Sequence, residues 1–477
     1  MSWFAIYLPN YPLILVYMLQ NVEYQPGPYL RWFWRTDDFS QVMKRRTLQP
    51  TKAARLLLMA LRLGMAMQIL AGLGLFWLGL AAQTPGTWAM GAALLISYPV
   101  IWAHLVVVPL ILGRWLIVAP RERQLVAASK RIFADTKAIK IAVAGSYGKT
   151  SMKELLGVVL AEGKNVAITP ANKNVAISHA LFAQKLKGDE DVLVIEYGEG
   201  APGDVAKFSA TTQPNIGIIT GIAPAHLDQY PTLEAAAQDI YSLADYLQDQ
   251  QVYVNQESAA GQDHIRPSHL TYSAKGVGDW KVSDVHVGLD GVRFKLAKGK
   301  QTLHIHSGLL GRHQIGPLAA VAAIADSLGL SAHHIEAGLR KTVPFEHRMQ
   351  PRQLRGAWII DDTYNGNIEG LKAGLALLAE LAAKRKIYVT PGLVDQGVET
   401  ENVHIQLGQA IATANPDKVV LMQNSVTGFI QRGLQAGSYQ GELTLEDDPL
   451  DFYTNVEHFL AAGDLLLMQN DWTDNYK

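Results

Sequence analysis

The stretch Ala144-Gly145-Ser146-Tyr147-Gly148-Lys149-Thr150-Ser151 follows an apolar run, Ile139 to Ala144, and opens a stretch with helical periodicity. An apolar, β-branched run that passes through glycines into a helix reads as strand, loop, helix. This loop also carries the groups a phosphate site requires. Its glycines let backbone amides approach oxygens, the helix N-terminus adds positive potential, Lys149 neutralises phosphate charge, and Thr150 offers a hydroxyl to Mg²⁺. Gly145, Ser146, Gly148 and Ser151 complete the candidate cradle. The strict G-x-x-x-x-G-K-[ST] spacing is not met, because Val143 stands where its first glycine would be. A bare strand-to-helix turn is the bland alternative, and Gly-Lys-Thr in register argues against it.

Outward from this loop the pattern repeats. Runs at Asn165 to Thr169, Val192 to Glu196, Ile216 to Thr220 and Val252 to Asn255 alternate with helical stretches, which predicts a mostly parallel sheet with crossover helices. Lys281 to His306 alternates in the antiparallel manner, with Gly288, Gly291 and Gly299 as turns. After Arg348 a second α/β unit is expected, with strands at Trp358 to Asp361, Ile387 to Thr390, Lys418 to Leu421 and Asp464 to Met468.

Before the loop the composition differs sharply. From Leu63 to Gly113, 51 consecutive residues include no Asp, Glu, Lys or Arg. Gly64 to Ala82 and Met90 to Leu112 are apolar runs of 19 and 23 residues joined by Gln83-Thr84-Pro85-Gly86. Each is long enough to cross a hydrocarbon layer of about 30 Å, and they read as a transmembrane hairpin, with buried core helices as the competing reading. Basic residues flank the hairpin on both outer sides, from Lys44 to Arg62 and from Arg114 to Arg131, which puts the flanks in the cytoplasm by the positive-inside rule. Trp3 to Gln20 is apolar but holds Pro9 and Pro12; we read it as a first span, with a re-entrant or interfacial segment as alternatives. It lacks the basic leader and small-residue cleavage site of a removed signal peptide. The expectation is therefore a multi-pass protein of the plasma membrane with its catalytic domains in the cytoplasm, and the lipid bilayer as a partner.

The whole chain has 477 residues, 49% of them hydrophobic, with 42 Lys+Arg against 43 Asp+Glu. That excludes wholesale disorder and gives no bulk electrostatic basis for nucleic-acid binding. The absence of cysteine removes thiol nucleophiles, disulfides and Cys-ligated metals.

The loop and five downstream blocks together resemble the Mur ligases, ATP-dependent amide-forming enzymes of peptidoglycan synthesis whose phosphate loop has this shorter form. The blocks are Thr169 to Ile177, Ile195-Glu196-Tyr197-Gly198 with Pro202-Gly203-Asp204, Ile222 to Asp228, Gly311-Arg312-His313, and Glu346 to Gln350 leading to Asp361 to Asn367. They look most like the branch that adds D-alanyl-D-alanine. The resemblance covers residues 137 to 477. It implies a P-loop central domain at 136–345 and a smaller Rossmann-like C-terminal domain at 346–477, behind a membrane-anchoring region at 1–135.

It also implies a mechanism, in which ATP phosphorylates a carboxylate and an amine displaces phosphate from the acyl-phosphate intermediate. Mg²⁺ and cationic side chains must hold these mutually repelling anions together. By resemblance, Lys149, His226 and Arg348 are the catalytic set. Thr150, Glu196 and His226 would ligate metal, and His313, Arg348 and Asp362 would join the loop in holding ATP. Asn172, Asn174, Tyr364, Asn365 and Asn367 would line the acceptor side. Asn367 has a competing reading as a helix N-cap. The block Thr390 to Gly397 with His404 reads as an amino-substrate contact or as an ordinary strand-end loop.

Three departures bear on the substrate. The family's UDP-sugar domain is replaced by the apolar N-terminal region, which argues against a soluble UDP-linked acceptor. The lysine that becomes carbamylated in many members is absent from Ala235 to Tyr241, where Asp239 is the anion that could substitute. The adenine-contacting motif reads His313-Gln314-Ile315-Gly316-Pro317. The reading is a membrane-anchored, ATP- and Mg²⁺-dependent carboxylate–amine ligase of cell-wall or other envelope precursors. Its alternatives are a Mur-like amidating or poly-amino-acid ligase with an ammonia-supplying subunit, and a nucleotide-binding membrane scaffold without ligase activity.

Overall fold

Ile139 to Ala144 forms β1, and every residue from Ile141 on is buried, as expected of a strand covered on both faces. The computed structural model describes residues 2–36, 39, 42, 48–171, 173–223, 230, 232–364, 366–394 and 396–471. These fall into two compact units, 1–124 and 125–477.

In the second unit β1 lies inside a ten-stranded sheet, third from one edge and between two parallel neighbours. Its parallel part contains β2 (Val166–Ile168), β3 (Val192–Glu196), β4 (Ile216–Ile219), β5 (Val252–Asn255) and β6 (Leu270–Ser273), in the order β6-β5-β4-β1-β3-β2. β7 (Gly276–Val277), β8 (Trp280–Gly288), β9 (Gly291–Lys298) and β10 (Gln301–Ser307) continue the same sheet antiparallel from β6. The segment expected as a β-rich insertion is thus an extension of the main sheet.

Both faces of this sheet are covered. On one, Leu155, Leu156 and Val159 of the helix Lys149–Leu160 pack with Leu318 and Ile324 of the helix Ile315–Ser327 against Val143, Val194 and Ile218. On the other, Phe208, Ile240 and Leu243 meet Ala142, Leu193 and Ile195. Each such aliphatic side chain contributes roughly 1.5–3 kcal/mol by leaving water. The loops at the C-terminal ends of β1, β3 and β4 are thereby set on a rigid base.

The second sheet runs β11 (Gln350–Leu354), β12 (Ala357–Asp362), β16 (Asp464–Gln469), β13 (Arg385–Thr390), β14 (Lys418–Met422), β15 (Glu442–Glu446), parallel except for the β11–β12 hairpin. The bidentate ion pair of Arg312 with Glu380, with nitrogen–oxygen distances of 2.8, 3.1 and 3.2 Å, ties the end of the first α/β part to the helix Ile368–Glu380 of the second.

The first unit is helical. Helices Lys52–Ala81 and Pro85–Leu105 form an antiparallel hairpin with Gln68 at its polar centre, donating to the Leu94 carbonyl at 3.2 Å and accepting from Trp102 Nε1 at 2.8 Å. By length and composition alone, Lys52–Ala81 and Pro85–Asp135 could cross a membrane. The stretch 3–20 is not one span. It is a 3-10 helix, Ser2–Tyr7, followed by the helix Tyr11–Asn21, whose 11 residues extend only about 16 Å. Pro12 is accommodated in the first turn of that helix, where its missing amide is not needed. Tyr11, Leu15, Val16 and Leu19 are buried in the unit's own core.

Candidate functional site

The chain leaves β1 through two glycines whose geometry no other residue meets without strain. Gly145 has φ +143°, and a Cβ there would lie 2.3 Å from Thr220 Oγ1; Gly148 has φ +77° and serves as the N-cap of the helix that begins at Lys149. The neighbouring strand end locks the loop in place. Ser146 donates its amide to the Gly221 carbonyl at 2.7 Å, and the Thr220 hydroxyl donates to the Tyr147 carbonyl.

Around this loop the structure gathers the predicted residues of two strands. Thr150 Oγ1 donates to Glu196 Oε1 at 3.1 Å, and Asn174 Nδ2 donates to the same oxygen at 3.2 Å. Glu196 ends β3 and is buried, its amide donating to Thr169 Oγ1 at 3.0 Å. Lys149 folds back over its own loop, where its ammonium reaches the Gly145 carbonyl, the Ser146 carbonyl at 3.3 Å and Glu199 Oε1 at 3.2 Å.

Two further members of the cluster were missed in the sequence. Lys153 is fully buried, with its ammonium 3.4 Å from Glu196 Oε2, 3.1 Å from Glu154 and on the Ala171 carbonyl. Its signal was present: position 153 is one helical turn beyond Lys149 and therefore on the same face. Glu199 is the other, a second acid three residues beyond Glu196.

Behind the cluster His179 holds the Glu196 carbonyl through Nε2 at 2.8 Å, and burial pushes this imidazole down to about 4. It is a neutral support at pH 7.

Other predicted residues are used differently from the expectation. Asn367 caps the helix Ile368–Glu380, its side-chain oxygen accepting from the Gly370 amide at 3.0 Å, which is the competing reading of that residue. Asp362 has both oxygens engaged, by the Met349 amide at 3.1 Å and Gln469 Nε2 at 2.7 Å, and burial raises its carboxyl to about 6. It ties β12 to the Glu346–Gln350 segment and to β16. His313 accepts from Gln314 Nε2 at 2.8 Å, and its ring lies over Gly311; burial lowers it to about 4. Arg348 stacks on Tyr364.

Asp239, the anion considered as a stand-in for the missing lysine, is corrected by its contacts: one oxygen accepts from the Tyr230 hydroxyl at 2.7 Å and the other from the Gly203 amide at 2.8 Å. It anchors the loop after β3 and is not a free charge. His404 is fully buried, accepting from the Leu393 amide at 2.9 Å and lying 2.5 Å from the Thr400 carbonyl, so it shapes the strand-end loop. Asn172, His226 and Asn365 lie outside the described residues.

Among the described residues no three His, Asp or Glu side chains are assembled as a metal cage. The donor set nevertheless suits a hard cation shared with phosphate. Ser146 Oγ, Glu196 Oε2 and Glu199 Oε2 are buried oxygens without a hydrogen-bond partner, and Thr150 adds a hydroxyl.

Residues 143–325 match the Mur ligase middle domain. The chain carries a Mur ligase middle domain. Its relatives include the UDP-N-acetylmuramoyl-tripeptide–D-alanyl-D-alanine ligases of Escherichia coli, 29% identical over 59% of this chain and 63% of that protein, and of Mycobacterium leprae, 28% identical over 69% and 70%. The chain thus spans less than two thirds of the E. coli protein. Among solved structures, MurF from Acinetobacter baumannii has a TM-score of 0.65 at 20% identity over 73% of this chain and 77% of that one. A MurF ligase of Thermotoga maritima in complex with ADP has 0.63 at 21% over 73% and 80%. These likenesses show the fold, a mixed α/β Mur ligase fold with parallel sheets.

The comparisons correct the expected location in the plasma membrane as a multi-pass protein. The relatives from E. coli, M. leprae and Synechocystis are named for a UDP-linked muramoyl tripeptide. Two long apolar helices do not outweigh that, since the core helices of a soluble protein meet the same two criteria. Neither a lipid bilayer nor an ammonia-supplying subunit finds support as a partner.

Proposed function

We propose that this chain is a Mur ligase family member, an ATP-dependent carboxylate–amine ligase of peptidoglycan synthesis, joining a muramoyl-peptide carboxylate to an amino substrate of the D-alanyl-D-alanine type. The observation that carries the reading is the convergence of Thr150 and Asn174 on the Glu196 carboxylate, from three chain segments, beside the Lys149 ammonium, which is held by its own loop and by Glu199. On this reading residues 136–345 form the P-loop central domain and residues 346–477 the Rossmann-like C-terminal domain.

The residues then take these roles. The amides of the Gly145–Gly148 loop and the helix N-terminus face the phosphates, and Lys149 swings from its own loop carbonyls to the phosphoryl oxygens. Thr150 and Glu196, with His226, would hold Mg²⁺, which supplies charge neutralisation at the transferring phosphoryl group. A carboxylate oxygen of the acceptor attacks the γ-phosphorus and ADP leaves. The amine then attacks the acyl carbon, phosphate departs and the ammonium proton is lost, giving the amide. Lys153 holds Glu196 in place from behind. Asn174 stands beside the attacking carboxylate, and Arg348, with Tyr364, closes over the phosphates from the second sheet.

The test is ADP release by the full chain with UDP-linked muramoyl tripeptide and D-alanyl-D-alanine, each omitted in turn. Release that requires both substrates, with one amide formed per ADP, is the expected result. Absence of ATP turnover, or turnover indifferent to both substrates, would overturn the ligase reading in favour of a nucleotide-binding scaffold.

A further inference from the structure

Glu199 has no part in the mechanism above, yet it is the carboxylate that Lys149 contacts. Its side chain is 4% exposed and that of Lys149 12%. One oxygen lies 3.2 Å from the ammonium, and the other is buried with no hydrogen-bond partner. A buried carboxylate with a vacant oxygen is costly unless a cation compensates it.

The two partners differ in freedom to move. Lys149 is a flexible stem held by its own loop's carbonyls. Glu199 sits on a clamped segment: before it, the Gly198 amide donates to the Asn174 carbonyl at 2.7 Å; after it, Tyr230 donates to the Ala201 carbonyl at 3.3 Å and Asp239 accepts from Gly203. When phosphate oxygens draw Lys149 away, Glu199 stays behind, buried and beside a polyanion. The like charges repel at short range in a medium that screens poorly. Only a second cation entering with the nucleotide relieves this.

We propose that Glu199 is a second anionic group of the nucleotide site, which holds Lys149 while the site is free and makes binding of a nucleoside di- or triphosphate conditional on a divalent cation. The inference rests on the nucleotide reading of the Lys149 loop. In the loaded site Glu199 lies on the cation's side, with its vacant oxygen as a ligand reaching the ion directly or through water. It is a positioning residue toward Lys149 and a charge gate toward the nucleotide.

The test is ADP affinity, measured calorimetrically on the full chain with Mg²⁺ and with the metal chelated. For the native sequence the affinity should fall steeply on chelation. In Glu199→Gln, which keeps shape and loses charge, the metal-free affinity should rise roughly tenfold or more and the dependence on Mg²⁺ should shrink by a similar factor. Glu199→Asp keeps the charge and should keep the strong dependence. The proposal is overturned if Glu199→Gln matches the native protein within about twofold in both conditions, or if Glu199→Asp loses the metal dependence as Glu199→Gln does. If the native chain binds no ADP even with Mg²⁺, the nucleotide reading itself falls and the proposal with it.

Discussion

The guanidinium carbon of Arg348 lies 4.4 Å from the centroid of the Tyr364 ring, so two residues expected to meet different ligands meet each other. Tyr364 also donates its amide to the His347 carbonyl at 3.0 Å, which fixes the ring beside the Glu346–Gln350 segment. A cation over an exposed ring is worth roughly 0.5–1 kcal/mol, enough to choose a rotamer and too little to hold it against a phosphate. Arg348→Ala should therefore lower acceptor-dependent ADP release by about 100-fold or more. Arg348→Lys should recover little, because an ammonium does not reproduce a planar fork. Tyr364→Phe should stay close to native, since the stacking face is kept. Steady-state kinetics check all three; a fully active Arg348→Ala would remove this residue from the site.

Lys149 is tied to a buried anion, and its removal has two consequences. Lys149→Ala should slow ATP turnover by roughly 10³-fold or more, since the phosphoryl group loses its fixed cation. It should also destabilise the fold by about 3 kcal/mol, because Glu199 is left buried without compensation. The double variant Lys149→Ala/Glu199→Gln should regain most of the stability and none of the turnover. Urea unfolding beside an ADP-release assay separates the two effects. Equal stability of the single and double variants would show that the pair carries no coupling.

Asp362 makes a prediction about pH. Burial raises its carboxyl to about 6 in the folded state, against an ordinary value of 3.8, so the folded chain binds the proton more tightly. The sign follows: this group's contribution to stability is greatest below about pH 4 and is lost as pH rises to about 6. Asp362→Asn, which can still accept from the Met349 amide, should remove that component. Unfolding free energies at pH 4.5, 5.5 and 6.5 test it, and an unchanged slope would refute it.

How much could be read from the sequence depends on whether a residue's task is local. β1 and the glycine loop were readable because an unbroken apolar run and Gly-Lys-Thr each carry their meaning within a few residues. The edge strand Glu442–Glu446 was not, since Leu443 and Leu445 are 39% and 41% exposed and give little apolar signal. Trp3 to Gln20 misled for the opposite reason: it is apolar enough for a span, but the chain turns at 8–10 and buries Tyr11, Leu15 and Leu19 within its own helical core. At the site, Thr150 and Glu196 meet as expected because a parallel sheet brings strand ends together. Glu199 and Asp239 could not be assigned, because their partners, Lys149 and Gly203 with Tyr230, are decided by how loops fold across those ends.

His179 supplies the opposite pH dependence from Asp362. Its Nε2 faces the Glu196 carbonyl at 2.8 Å, an acceptor only, so Nε2 carries the proton; Nδ1 is buried with no partner. Tyr197 and Phe208 pack on the ring, with centroids 5.6 and 5.0 Å away. A second proton would place an unpaired charge in this apolar enclosure, which is why the folded value falls to about 4 against an ordinary 6.5. The unfolded chain therefore binds the extra proton first. Stability from this group is complete above about pH 6.5 and is lost as pH falls toward 4, by roughly 3 kcal/mol over the window. His179→Gln keeps a donor for the Glu196 carbonyl without a titrating group, so its stability should fall less between pH 7 and 5 than that of the native protein. In the Asp362→Asn background the native histidine's slope should stand out more steeply, because the opposing carboxyl has been removed. Denaturant unfolding of the four combinations at pH 7, 6 and 5 decides it: parallel curves for His179→Gln and the native chain would mean that this imidazole does not govern the acid limb.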